Sequence, residues 1–182
     1  MTASYRPAVL RIAVIAALLA TAPAGGAVAQ ESKAVAPEAA RGAVTRLPLP
    51  RYVSMRAETA NARRGPGLEH RVDWEYRMRG MPLRIVAEYG QWRQVQDPDG
   101  TGGWVHHSLL SGARTVLVRA EAPVVLHAGP GENTAVRAMA EPGVVARLDT
   151  CREDWCQVRA SGFRGWVPRG ALWGVDPGET VD

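Results

Sequence analysis

The 182-residue chain has two cysteines, one phenylalanine and few lysines, and after its first thirty residues it has no long apolar run. Each shortage closes off a class of function. The bases are almost all arginine and are scattered, so the dense Lys/Arg stripe that a phosphate backbone requires is missing and no nucleic-acid partner is expected. Without a second long apolar segment, no membrane insertion is expected once the N-terminal segment has been removed. Cys151 and Cys156 are spaced C-x4-C, which is not the C-x-x-C of thiol oxidoreductases. Without convincing histidine partners, two cysteines also make a poor zinc site. No serine sits in a G-x-S-x-G elbow. Gly65-Pro66-Gly67 is a turn with no Lys-Ser/Thr after it and no helix start, so it cradles no phosphate. These absences predict no catalytic residues, no metal and no cofactor.

What is present begins with an N-terminal targeting pattern. Arg6 and Arg11 precede an apolar run from Ile12 to Ala22, and small residues lead to Ala27-Val28-Ala29. A basic start, a short apolar segment and an A-x-A site describe a secretory signal over 1–29, with a mature start near Gln30 and a periplasmic or secreted product. The whole chain carries 22 basic and 18 acidic residues, net +4. Losing Arg6 and Arg11 leaves 20 against 18, net +2, so the high isoelectric point overstates how basic the exported chain is. Residues 30–50 are rich in Ala, Pro and polar residues and read as a flexible tether. The acidic tail 176–182 reads as frayed. About 125 residues remain to fold.

Those residues say the same thing twice. "RRGPGLEHRVDW" from Arg63 overlays "HAGPGENTAVRA" from His127, and "GGWVHHSLL" overlays "FRGWVPRGALW". Between them, "MPLRIVAEYGQWRQV" overlays "EPGVVARLDTCREDWCQV". Two tandem units follow, 51–112 and 113–175. Short runs rich in β-branched residues, punctuated by Gly-Pro-Gly, Tyr-Gly-Gln and Asp-Pro-Asp-Gly turns, predict an all-β fold. Sixty residues of short strands suit a small closed barrel, which removes exposed edges.

Asn61-Ala62-Arg63-Arg64-Gly65-Pro66-Gly67, the W…G-W-V…L ending of each unit and the hairpin before each first Trp resemble bacterial SH3-like domains, most closely a periplasmic tandem type. The resemblance covers essentially all of 51–175 and implies two tandem small SH3-like β-barrels. The second unit departs from the pattern at Val125-Leu126-His127-Ala128, where Asn-x-Arg is usual. Gly165-Trp166-Val167-Pro168 is similar to the segment of SH3 barrels whose Pro helps line the ligand groove.

Strand parity assigns jobs to the repeated residues. If Val105 and Val167 face inward, Trp104 and Trp166 face outward, and Trp92 and Trp155 stand opposite Val95 and Val158. Outward tryptophans suit two uses: packing of one barrel on the other, in which Trp74 and Trp173 would join, or a ligand surface. On the overlay, Glu88 and Arg93 occupy the places of Cys151 and Cys156, which predicts a cross-strand ion pair in the first unit and a disulfide in the second. Parity strains the disulfide, since Cys156 shares a face with Val158; a bulge would be needed. His106 and His107 have Pro168 and Arg169 as counterparts and read as a solvated turn. Asp97 and Asp99 belong to a backbone turn.

The resemblance implies a module recognising peptidoglycan peptides or other envelope components in a groove between the Gly-Pro-Gly loop and the Trp hairpin. Its candidate residues are Arg63, Tyr89, Trp92 and Trp104 in the first unit and Trp155, Trp166 and Pro168 in the second. Arg64 and Glu88 join Arg63 as candidates for orienting a peptide with charged ends. The alternative is an envelope protein-interaction adaptor without wall affinity. The sequence sets no oligomeric state.

Overall fold

The computed structural model describes residues 40–182; the expected signal segment 1–29 and residues 30–39 of the expected tether lie outside them. Among the described residues there is no α-helix, and no helix is long and apolar enough to cross a membrane. The strands are β1 (Arg51–Met55), β2 (Ala60–Arg63), β3 (Val72–Tyr76), β4 (Pro82–Tyr89), β5 (Trp92–Gln96), β6 (Gly102–His106) and β7 (Leu110–Ser111). They continue with β8 (Thr115–Val118), β9 (Val124–His127), β10 (Val136–Ala140), β11 (Val145–Arg152), β12 (Trp155–Ala160), β13 (Phe163–Pro168) and β14 (Leu172–Trp173).

Two seven-stranded antiparallel sheets result, ordered β3-β2-β6-β5-β4-β1-β7 and β10-β9-β13-β12-β11-β8-β14. The second order is the first shifted by seven, so the repeat read from the sequence is a repeat of topology. Each sheet coils around its own core. Met55, Leu83, Ile85, Val95 and Val105 fill the first, and Val116, Leu148, Val158 and Val167 fill the second. Hydrogen bonding does not close either barrel: β3 and β10 remain edges, with Val72, Trp74, Val136 and Met139 exposed.

The Gly of Gly-Trp-Val is forced by close approach. A Cβ on Gly103 would lie 2.6 Å from the Arg63 carbonyl oxygen, and one on Gly165 would lie 2.7 Å from Leu126 Cβ. Only Gly lets β2 cross β6, and β9 cross β13, at that distance. The valines after it are fully buried while Trp104 and Trp166 stay half-exposed outside, the parity expected from the sequence.

Each long hairpin carries a bulge at the same place, between Ile85 and Ala87 in β4 and between Leu148 and Thr150 in β11. The extra residue turns Cys151 onto the core face already occupied by Cys156, which resolves the parity conflict. Cys151 and Cys156 are directly paired, disulfide-bonded and fully buried, with Cα atoms 4.1 Å apart. In the first barrel Glu88 pairs with Arg93 at the same place, and both are buried.

Residues 40–50 and the C-terminal tail both make specific contacts with the barrels. Residues 40–50 form a tight loop bridged at Arg41 and Pro48. The N–H groups of Val44 and Thr45 donate to Glu88 Oε2 at 3.0 and 2.8 Å, and Thr45 Oγ1 donates to Oε1 at 2.6 Å. Arg51 Nη2 adds a fourth contact at 2.7 Å, against 3.6 Å for Arg93 Nε. Burial alone would raise the Glu88 pKa, but the Thr45 hydroxyl and N–H, Arg51 and the Val44 N–H together lower it to about 2. At the other end Val181 bridges to Cys151. Arg169 Nη1 donates to the Asp176 and Glu179 carbonyls at 2.8 and 2.7 Å. A buried acid holds one end and a buried arginine the other.

The barrels meet at an aromatic contact, with the Tyr52 and Trp173 rings edge-to-face at 5.2 Å. Thr115 Oγ1 donates to the Gly80 carbonyl at 2.7 Å. Arg119 Nη1 donates to the Pro98 carbonyl. Trp173 therefore packs between barrels, while Trp74 lies 47 % exposed on the edge strand β3.

Candidate functional site

The outer face of β5 and β6 is an aromatic row. Register places Trp92 beside His106 and Gln94 beside Trp104, and Arg63 of β2 faces Trp104 from the other side. Alternation puts all five on one face, opposite Val95 and Val105. Two concavities open along it. One, of about 260 Å³, is lined by Arg63, Leu68, Glu75, Trp92 and His106 among others. The other, of about 240 Å³, is lined by Arg63, Arg64, Asp73, Gln94 and Trp104 among others. Arg63 lines both, so the two concavities adjoin at its side chain, one bordered by Trp92 and the other by Trp104.

Arg63 also builds the wall. Its Nη1 donates to the Leu68 and His70 carbonyls at 3.1 and 2.7 Å, tying down the loop after Gly65-Pro66-Gly67. That holds Leu68, 75 % exposed, over the groove. His106 stacks edge-on against Trp92 at 5.5 Å, and its Nδ1 lies 2.8 Å from Ser108 Oγ. Arg64 and Arg71 converge on Asp73 at 3.0 and 2.7 Å, which lowers the Asp73 pKa, chiefly through the Arg64 hydrogen bond. The concavity beside Trp104 is thus polar and the one beside Trp92 more apolar.

Tyr89 sits at the hairpin tip beside Trp92, 65 % exposed, and lines neither concavity. Glu88 lies across the barrel, consumed by residues 44–51. His106 was read from the sequence as a solvated turn, whereas it is half-buried in the groove. The signal that could have found it is parity, since it stands two residues beyond Trp104 and so on the same face.

The second barrel repeats the row with a different filling. Trp155 pairs with Pro168, Gln157 with Trp166, and His127 takes the register position of Arg63. His127 is buried at 8 % and stacks edge-on against Trp155 at 5.5 Å. Its Nδ1 lies 3.3 Å from the Thr134 carbonyl oxygen. Thr134 Oγ1 donates to the Gly129 and Gly131 carbonyls, doing for this loop what Arg63 does for the first. The imidazole beside Trp155 thus occupies the level at which the first barrel keeps a guanidinium, so the two faces are alike in plan and unlike in chemistry.

A pair of small coiled β-sheets, each with a tryptophan-lined outer face beside a Gly-Pro-Gly loop, defines a class of small β-barrel modules. The family model described as "Bacterial SH3 domain" matches residues 56–112 and 120–174, more than half of the chain. The chain belongs to the bacterial SH3 domain family. It is 26 % identical, over 117 residues, to the "Putative N-acetylmuramoyl-L-alanine amidase YrvJ" of Bacillus subtilis (strain 168). That match takes in 59 % of this chain but only 22 % of the relative's length. Two solved structures from Trichomonas vaginalis, NlpC2 and NlpC1, align over 71 and 72 % of this chain and 51 and 48 % of theirs. Their sequence identities are 11 and 10 % and both TM-scores are 0.32, too low to support any conclusion about this chain.

Proposed function

We propose that this chain is a non-catalytic binding module of the bacterial cell envelope, exported to the periplasm or beyond, that takes peptidoglycan peptides in the groove of the first barrel. Family membership and the wall-amidase name of a relative support the compartment and the polymer. The observation that carries the reading is the pair of concavities that share Arg63, one lined by Trp92 and the other by Trp104. The Trp faces supply apolar area, Arg63 holds the loop wall and offers positive charge to a peptide carboxylate, and Tyr89 borders the open end. The units 51–112 and 113–175 act as the two modules. Trp155, Trp166 and Pro168 form a second, weaker face, and two faces on one chain gain by avidity on a repeating polymer.

Titration with soluble peptidoglycan fragments, followed through the indole N–H signals of the six tryptophans, tests this. Movement of the Trp92 and Trp104 signals, with Trp173 still, is the expected result. A second reading, an envelope protein adaptor, is favoured by the exposed Val72 and Trp74 on the unpaired edge of β3. It predicts that the fragments move nothing.

A further inference from the structure

A concavity of about 350 Å³ lies at the seam between the barrels and shares no lining residue with the Trp92 groove. Four arginines line it: Arg56 and Arg79 from the first barrel, Arg114 and Arg147 from the second. No carboxylate is among its lining residues. Arg114 is engaged, donating to Glu179 Oε1 and Oε2 at 2.6 and 3.1 Å and to the Gly174 carbonyl at 2.8 Å, but its buried Nε has no partner. Arg56, Arg79 and Arg147 make no salt bridge among the described residues. The walls are held in place by the Thr115–Gly80 hydrogen bond and by the sheet pairing of Thr115 with Arg147.

We propose that this seam is an oxyanion site for a phosphate group. Like charges gathered at a junction oppose its formation, and here one acid answers four cations. A bound anion reverses that balance. After Glu179 neutralises Arg114, three guanidinium charges remain, which suits a doubly charged phosphate better than a singly charged carboxylate. Planar N–H pairs match its oxygens, and the volume accepts a phosphate carrying a small substituent. Because each barrel contributes arginines, the anion also ties the two barrels together. The site is independent of peptidoglycan recognition.

The test is calorimetric titration of the full chain with inorganic phosphate at fixed ionic strength, beside Arg79→Gln, Arg147→Gln and Trp92→Ala. Arg79 and Arg147 are exposed, so their variants are expected to fold, as circular dichroism will check. The expected result is a Kd of roughly 0.1–1 mM that weakens about tenfold in each arginine variant and is unchanged in Trp92→Ala. A parallel flotation assay compares phosphatidylcholine vesicles with and without phosphatidate. Phosphate binding with added retention on phosphatidate assigns a lipid headgroup, and phosphate binding without it assigns a soluble phosphate; both support the site. Absence of phosphate binding, equal binding in the arginine variants, or equal displacement by chloride overturns it.

Discussion

Glu88 shows how much one residue can organise. Its carboxylate is buried beneath Val44, Thr45 and Arg51, and these partners hold its pKa at about 2. A carboxylate whose folded pKa is depressed adds stability that is complete above its unfolded pKa and is lost as pH falls through the folded one. Urea midpoints should therefore hold from neutral pH to about pH 5 and then fall down to about pH 2, with roughly 3 kcal/mol attached to this group. Glu88→Ala should cost about 3–5 kcal/mol at pH 7, because Arg51 and Arg93 lose their buried partner, and should flatten that acid limb. A variant that kept the wild-type limb would show that other carboxylates carry it. The Glu88–Arg93 pairing was legible from the overlay of the two units. The capture of residues 44 and 45 was not: a single acid accepting backbone N–H groups leaves no periodic trace in an Ala/Pro-rich stretch. The same holds at the other end, where Arg169 grips carbonyl oxygens.

The long hairpins are one place where the two units diverge. The turn after β4 puts Gly90 at φ 49°, and the matching turn after β11 puts Glu153 at φ 48°. A non-glycine residue there carries strain that glycine does not, so Glu153→Gly should stabilise the second barrel by about 0.5–1 kcal/mol in thermal or urea unfolding. A loss of stability would mean the Glu153 side chain contributes more than the turn costs. Beyond that turn, Cys151–Cys156 closes a very short loop, so its entropic share is small, about 1–2 kcal/mol. Replacing both by serine should cost more than that, since both sites are fully buried and would gain unpaired hydroxyls. Strand parity and the Gly-Trp-Val ending could be read from the chain because they recur at fixed spacing, and the cysteine pair because it falls where the other unit has Glu88 and Arg93. The bulge that reconciles Cys151 with the core face is visible only as a pairing register, and the role of His127 depends on which strand crosses β13.

At the scale of the molecule, two barrels share one plan. Among the described residues they share the Tyr52–Trp173 ring contact, the Arg114 guanidinium 5.6 Å from the Tyr52 ring centre, the Arg119–Asp99 ion pair and a few hydrogen bonds. Trp173→Ala should therefore separate one calorimetric transition into two, one per barrel, without changing the folded circular dichroism; a single cooperative transition would show that the remaining contacts suffice. The row of Trp92, His106, Arg63 and Trp104 does not depend on that junction, so the variant should keep its ligand. Recognition of the cell wall by this row is the proposed function. Its most direct test is co-sedimentation of the chain with purified sacculi at two salt concentrations, beside folded Trp92→Ala and Trp155→Ala. Binding is expected to persist at the higher salt, to fall about tenfold or more in Trp92→Ala and to fall less in Trp155→Ala. Binding that vanishes with salt and ignores both substitutions, or no binding, would contradict it.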